Sequence, residues 1–193
     1  MNKIFFTSDL HINHRMVAKM RGFSTGDDIN DVDLDQYHNT LITNWNSRID
    51  DKDKVYILGD VCLTGKMDIV VPIVEQLNGE KILIVGNHDK KNLKKDEFRN
   101  LFSRIKDYYE LSYNKNKICM SHFPFEFWNQ KHHGSFMIHG HIHSKNPIRN
   151  KKQRKMDVGL DGNKLFPWEI SEIYNLMLEI DYSKEDHHSY QEN

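Results

Sequence analysis

Apolar residues in this chain gather in short runs, and most of those runs end in polar residues. The segments IFF (4–6), VYIL (55–58), KILIV (81–85), KICM (117–120), SFMI (135–138) and MDVGL (156–160) have strand length, are rich in β-branched or aromatic residues and are bounded by turn residues. Runs of this kind predict strands buried on both faces. Val32, Leu34, Tyr37, Leu41, Trp45 and Ile49 recur mostly three and four positions apart, which predicts a helix that Asn30 or Asp31 would cap. Met67 to Leu77 predicts a second helix, broken or kinked at Pro72 and ended by Gly79. Leu93 to Ile105 is a third helical candidate, and Glu172 to Tyr182, with IYNLMLEI, predicts a last strand. Strands alternating with helices predict an α/β architecture.

The length of 193 residues, 38% of them hydrophobic, suits one domain, placed at 1–180, followed by a polar, flexible tail at 181–193. His187 and His188 are expected to be tail residues. Lys and Arg total 27 against 28 Asp and Glu, so no global field draws in nucleic acid or a membrane. The exception is local: SKNPIRNKKQRK (144–155) carries six basic residues and reads as a solvated loop or a phosphate-facing flap. Cys62 and Cys119 make no disulfide framework, which implies a reducing compartment. No signal peptide is evident, and no run approaches the roughly 20 apolar residues of a membrane span, so a cytoplasmic protein is expected.

The polar residues behind the strands carry the chemistry. IFFTS leads to Asp9 and His11, VYILG to Asp60, and KILIVG to Asn87, His88 and Asp89. KICMS leads to His122, and SFMIHG to His141 and His143. In open α/β sheets ligands collect beyond the carboxyl ends of strands. Burying so many polar groups without partners would cost several kcal/mol each by order of magnitude, and bound cations remove that cost. Mixed Asp, Asn and His donors suit borderline or hard divalent ions, with manganese preferred and iron, zinc, nickel or cobalt as alternatives. The donors exceed the needs of one ion, and Asp60, behind a glycine, is the natural bridge between two.

In order and spacing, SDLH, LGD, GNHD, SHFP and GHIH resemble the calcineurin-like metallophosphoesterase superfamily over residues 4 to 143. NWNS (44–47), WNQKHHGS (128–135) and MDVGLDGNKLFPWEISEI (156–173) are similar to a small bacterial and phage branch of it. The resemblance implies two packed mixed β-sheets flanked by helices, a four-layer αββα sandwich. It implies Asp9, His11, Asp60 and His143 on a first metal, and Asp60, Asn87, His122 and His141 on a second. His88 would stabilise charge on the substrate phosphate, and a metal-bound hydroxide would attack. Asp89 would orient a ligand or loop. Arg21, with His14 beside it, is a candidate phosphate contact. Trp128, Asn129, His132 and His133 are candidates for the leaving-group side, with Trp128 able to stack on a base. The expected activity is hydrolysis of a small phosphodiester such as a nucleotide. A phosphomonoesterase, a nuclease and a non-catalytic protein-binding scaffold are the alternatives. Oligomeric state is not legible.

Overall fold

The computed structural model describes residues 2–182. Most of the tail, with His187 and His188, therefore lies outside the described residues. In chain order the elements are β1 (Ile4–Thr7), α1 (Arg15–Met20), α2 (Leu34–Asn46), β2 (Lys54–Ile57), α3 (Met67–Glu75), β3 (Glu80–Ile84) and α4 (Asp96–Arg99). There follow β4 (Arg104–Lys106), β5 (Tyr108–Tyr113), β6 (Asn116–Ser121), β7 (Phe136–His139), β8 (Lys155–Asp157), β9 (Trp168–Glu169) and α5 (Ile170–Leu178).

They form two mixed sheets. The first runs β4-β3-β2-β1-β9, parallel except for β9. The second runs β5-β6-β7-β8, parallel except for β5. Strand alternation sorts the side chains of the first sheet. Phe5, Val55, Ile57 and Leu83 point to one face and pack with Tyr37, Leu41 and Trp45 of α2 and Val70, Ile73 and Val74 of α3. Phe6, Tyr56, Ile82 and Ile84 point to the other and meet Ile118, Met120, Phe136, Ile138 and Met156 of the second sheet. Ile173 and Met177 of α5 complete that layer. The outer face of the second sheet, at Cys119 and Met137, is covered by Trp128. The two sheets join where Ser8 bridges Gly159, so the carboxyl ends of β1 and β8 sit side by side.

Several elements differ from expectation. The segment 172–182 is helical over α5, not a strand. Ile170, Ile173, Met177 and Ile180 are buried at helical spacing, and Glu169 with Glu172 forms a capping box. The candidate helix 93–105 collapses to one α-turn, α4, and β4 takes Ile105 as the partner of Leu83. Phe98, Leu101, Phe102 and Ile105 keep helical spacing, but pairing of residues 104–106 with β3 takes the end of the segment into the sheet. Asp33, not Asn30 or Asp31, caps α2, accepting from the Gln36 N–H at 2.8 Å. The helix α3 continues through Pro72. Among the described residues no helix is long and apolar enough to cross a membrane.

Candidate metal centre

The polar residues behind β1, β2, β3, β6 and β7 converge on one rim. Asp9, His11 and His143 bring donor atoms within 4.8 Å of one another, and Asp60, His122 and His141 do the same. Asp60 stands between the groups. Its Oδ2 is 3.9 Å from His11 Nε2 and its Oδ1 is 3.5 Å from His122 Nε2. Asn87 Oδ1 lies 2.9 Å from His122 Nε2, at the second group. His11 and His143 present Nε2 to Nε2 at 3.0 Å.

The backbone that delivers these donors is strained. Asp9, His11, Asp60, His141 and His143 have φ of 58°, 45°, 55°, 73° and 53°. Left-handed conformations cost non-glycine residues on the order of 1 kcal/mol each and concentrate at functional sites. Hydrogen bonds hold them there. Asp89 is fully buried and accepts from the N–H groups of Asp60 (2.9 Å), Gly86 (2.9 Å) and Val61 (3.0 Å), tying the β2 and β3 loops together. Gly86 is required by space: a Cβ there would lie 2.3 Å from Asp60 Oδ1.

The outer nitrogens of two histidines are also engaged. His122 Nδ1 donates to the Leu58 carbonyl at 2.8 Å, leaving Nε2 free to accept. His143 Nδ1 lies 3.1 Å from Asp161 Oδ2, and that hydrogen bond raises the His143 pKa. Burial works against ionisation of Asp9, but the His11 contact and the neighbouring His143 hold its carboxyl below the usual range. Asp9 Oδ2 accepts from Ser8 Oγ (2.5 Å) and the His141 N–H (2.9 Å), whereas its Oδ1 is buried with no hydrogen-bond partner. An unsatisfied buried carboxylate oxygen facing two imidazoles is what a cation would satisfy. These residues fit divalent metal ions. Both cysteines are free and buried, and burial pushes the Cys62 thiol up to about 12, which leaves no thiolate for the site.

His88 is at the rim. Its N–H donates to Asp60 Oδ1 at 3.0 Å, its Nε2 is 3.7 Å from Asp60 Oδ2, and its side chain is 37% exposed. His14 is also near, its ring 5.6 Å from that of His11, while its Nδ1 caps α1 by accepting from the Val17 N–H.

Other candidates lie elsewhere. Arg21 does not face the rim. Its guanidinium is buried, binds Asp161 through two hydrogen bonds (3.0 and 2.7 Å) and donates to the Asp9 carbonyl at 2.9 Å and to the Tyr37 hydroxyl. Trp128 is buried, its indole N–H donating to Ser135 Oγ at 2.9 Å, so it offers no face to a base. Asn129 is held by Glu110. His132 and His133 pack on each other with rings 4.0 Å apart and are not part of either donor group. His139 is buried and bonds Gly140 O, and burial takes its pKa down to about 4. Asp161 is the residue sequence reasoning missed. Its signal was a carboxylate directly behind the strand run MDVGL, in MDVGLDGN.

Residues 2–183 match the calcineurin-like phosphoesterase family. The chain belongs to that family. It is 34% identical to an uncharacterized protein of Methanocaldococcus jannaschii over 83% of each chain. It is 30% identical to the Gene 66 protein of Mycobacterium phage D29, over 91% of this chain and 97% of the phage protein. A solved protein of unknown function from Aquifex aeolicus shares the fold, with TM-score 0.70 and 22% identity over 91% of this chain and all of that one. Family and donor groups together make this a metal-dependent phosphoesterase.

Proposed function

We propose that this calcineurin-like phosphoesterase hydrolyses a small phosphodiester of nucleotide type, using two divalent metal ions with manganese preferred. The observation that carries the reading is the position of Asp60, whose two oxygens face two separate donor groups. Asp9, His11, Asp60 and His143 would hold one ion, and Asp60, Asn87, His122 and His141 the other. When bound, such a pair activates water and neutralises charge on the phosphoryl oxygens. The protein's own part is positional. Asp60 sets the spacing of the two groups, Asp89 holds the Asp60 loop, and Asp161 aims His143. His88, partly open to solvent beside Asp60, would donate a hydrogen bond to a non-bridging phosphate oxygen and, as the imidazolium, give its proton to the leaving oxygen, regaining one from solvent. His14 lines the same edge. The free, buried cysteines support a reducing, cytoplasmic setting.

The test is turnover of bis-p-nitrophenyl phosphate and p-nitrophenyl phosphate by chelator-treated protein, with and without added manganese. Manganese-dependent diester cleavage, lost together with metal binding in Asp60→Asn, is expected. Two bound ions in that variant refute the bridging role, and turnover of the monoester alone replaces the diesterase reading with a phosphatase.

A further inference from the structure

The loop after His122, FPFEFW, places aromatic rings outside the core beside the metal centre. Phe123 is 43% exposed, yet its ring packs edge-on against two donor rings, with centroids 5.0 Å from His122 and 4.8 Å from His141. An exposed phenylalanine touching two candidate ligands has no packing role that requires exposure. It is a flat apolar surface in contact with two donor rings of the metal centre.

The basic segment 144–155 leans against this same loop. Lys155 Nζ donates to the Phe125 carbonyl at 3.3 Å and pairs with Glu126 at 3.6 Å, and Gln153 donates to Glu126 at 3.1 Å. Between the two loops lies an open groove of about 470 Å³. Pro124, next to Phe123, and Ile142, next to His141, form its walls with Arg149, Asn150 and Lys155. Glu126 is matched by Lys155. Arg149 is exposed and makes no ion pair among the described residues, so the groove keeps an uncompensated positive charge. Lys145, Lys151 and Lys152 are exposed on the same segment. A ring at the reaction centre followed by a cationic groove has the chemistry of single-stranded nucleic acid, base then phosphate.

Resting on the phosphodiesterase reading above, we infer that the substrate is the end of a short single strand, two nucleotides or longer, with the base beside the scissile phosphate stacked on Phe123 and the next phosphate in the groove at Arg149. The near-zero net charge of the chain agrees with a grip confined to this groove.

The test compares kcat/KM, with manganese, for a trinucleotide, a dinucleoside monophosphate and the same dinucleoside with an abasic sugar in place of the stacked nucleoside, so that the leaving group is an alkoxide throughout. The wild-type protein should prefer the dinucleoside to its abasic analogue and the trinucleotide to the dinucleoside. Phe123→Ala should cut the first preference about tenfold, the scale of one base–aromatic stack, and Phe123→Trp should restore it. Arg149→Gln should remove the second preference and flatten the salt dependence for the trinucleotide by a slope of about 0.7, one phosphate contact on a single strand. Preferences unchanged in both variants, or Phe123→Ala lowering all three substrates equally, overturn the inference. Failure of the manganese-loaded protein to cleave any diester would refute the diesterase reading itself. Binding then decides the subsite: the Kd of a fluorescent trinucleotide at low salt should rise in both variants, and equal Kd values, or no binding to the wild-type protein, overturn it.

Discussion

Removal of Asp161 separates two jobs that its carboxylate performs at once. It neutralises Arg21, whose side chain is 2% exposed, and it accepts from His143 Nδ1 at 3.1 Å. Burial opposes ionisation of both partners, yet the His143 hydrogen bond and the Arg21 contact hold the Asp161 carboxyl far below its usual range, and Tyr37 together with Asp161 raises the guanidinium. Asp161→Ala strands a buried cation. Breaking a buried pair from one side costs about 3–5 kcal/mol, and the low end applies because Asp161 is itself 13% exposed. Urea unfolding of the metal-free variant, followed by tryptophan fluorescence, should give a midpoint about 1–3 M lower, from a slope near 1–3 kcal/mol/M. Loss of the His143 anchor should weaken manganese binding about 10–100-fold by calorimetry. The double variant Arg21→Met, Asp161→Leu removes both charges and should recover most of the stability, since apolar replacement of a buried pair is commonly neutral or better. It should not recover metal affinity. Stability of Asp161→Ala within 1 kcal/mol of wild type would refute the stranded-charge argument. Recovery of metal binding in the double variant would show that Asp161 acts through stability alone.

Three further outcomes follow from the same geometry. His88→Ala should keep both ions and lose about two orders of magnitude in turnover, as loss of a charge-stabilising donor does; loss of metal would make it a ligand. Gly86→Ala should displace the Asp60 carboxylate, since its Cβ would sit 2.3 Å from Oδ1, and metal analysis should find at most one ion; two ions at wild-type affinity would mean the loops yield easily. Glu110 should govern part of the acid stability. Burial resists its ionisation, but bonds from Lys117, Tyr108 and Asn129 hold its pKa down at about 2, against 4.5. A folded pKa below the unfolded one adds stability that is full above pH 4.5 and lost as pH falls through about 2. Glu110→Gln should flatten that limb of the urea midpoint against pH, and parallel decline of both proteins would remove Glu110 from the account.

The donor set was legible because its signal is local. An apolar strand that runs into Asp, Asn or His writes both the burial and the ligand within about ten residues; Asp9, His11, Asp60, Asn87, His122, His141 and His143 meet at the rim, while Asp89 lies behind it on the Asp60 loop. The α/β alternation was legible for the same reason, since short apolar runs between helical stretches carry their own period, whereas the packing of two sheets in an αββα sandwich came from the family resemblance alone. The sequence also contained the helical spacing of α5, but IYNLMLEI is so dense in apolar residues that strand and helix periods both fit it. Only the sheet interface, which buries Ile173 and Met177 and leaves Leu178 45% exposed, selects the helix. Arg21 and Asp161 are 140 positions apart, so no local pattern could reveal that the guanidinium is spent on a carboxylate and not on substrate. Trp128 and Phe123 exchange places by the same logic. Both are aromatic residues on one loop, and only packing on the second sheet decides that Trp128 is covered and Phe123 is left beside the metal centre. The sequence thus determined which residues could bind metal and in what order they arrive. The tertiary structure decided which other charged and aromatic residues reach them, because contacts between distant segments depend on how the two sheets pack.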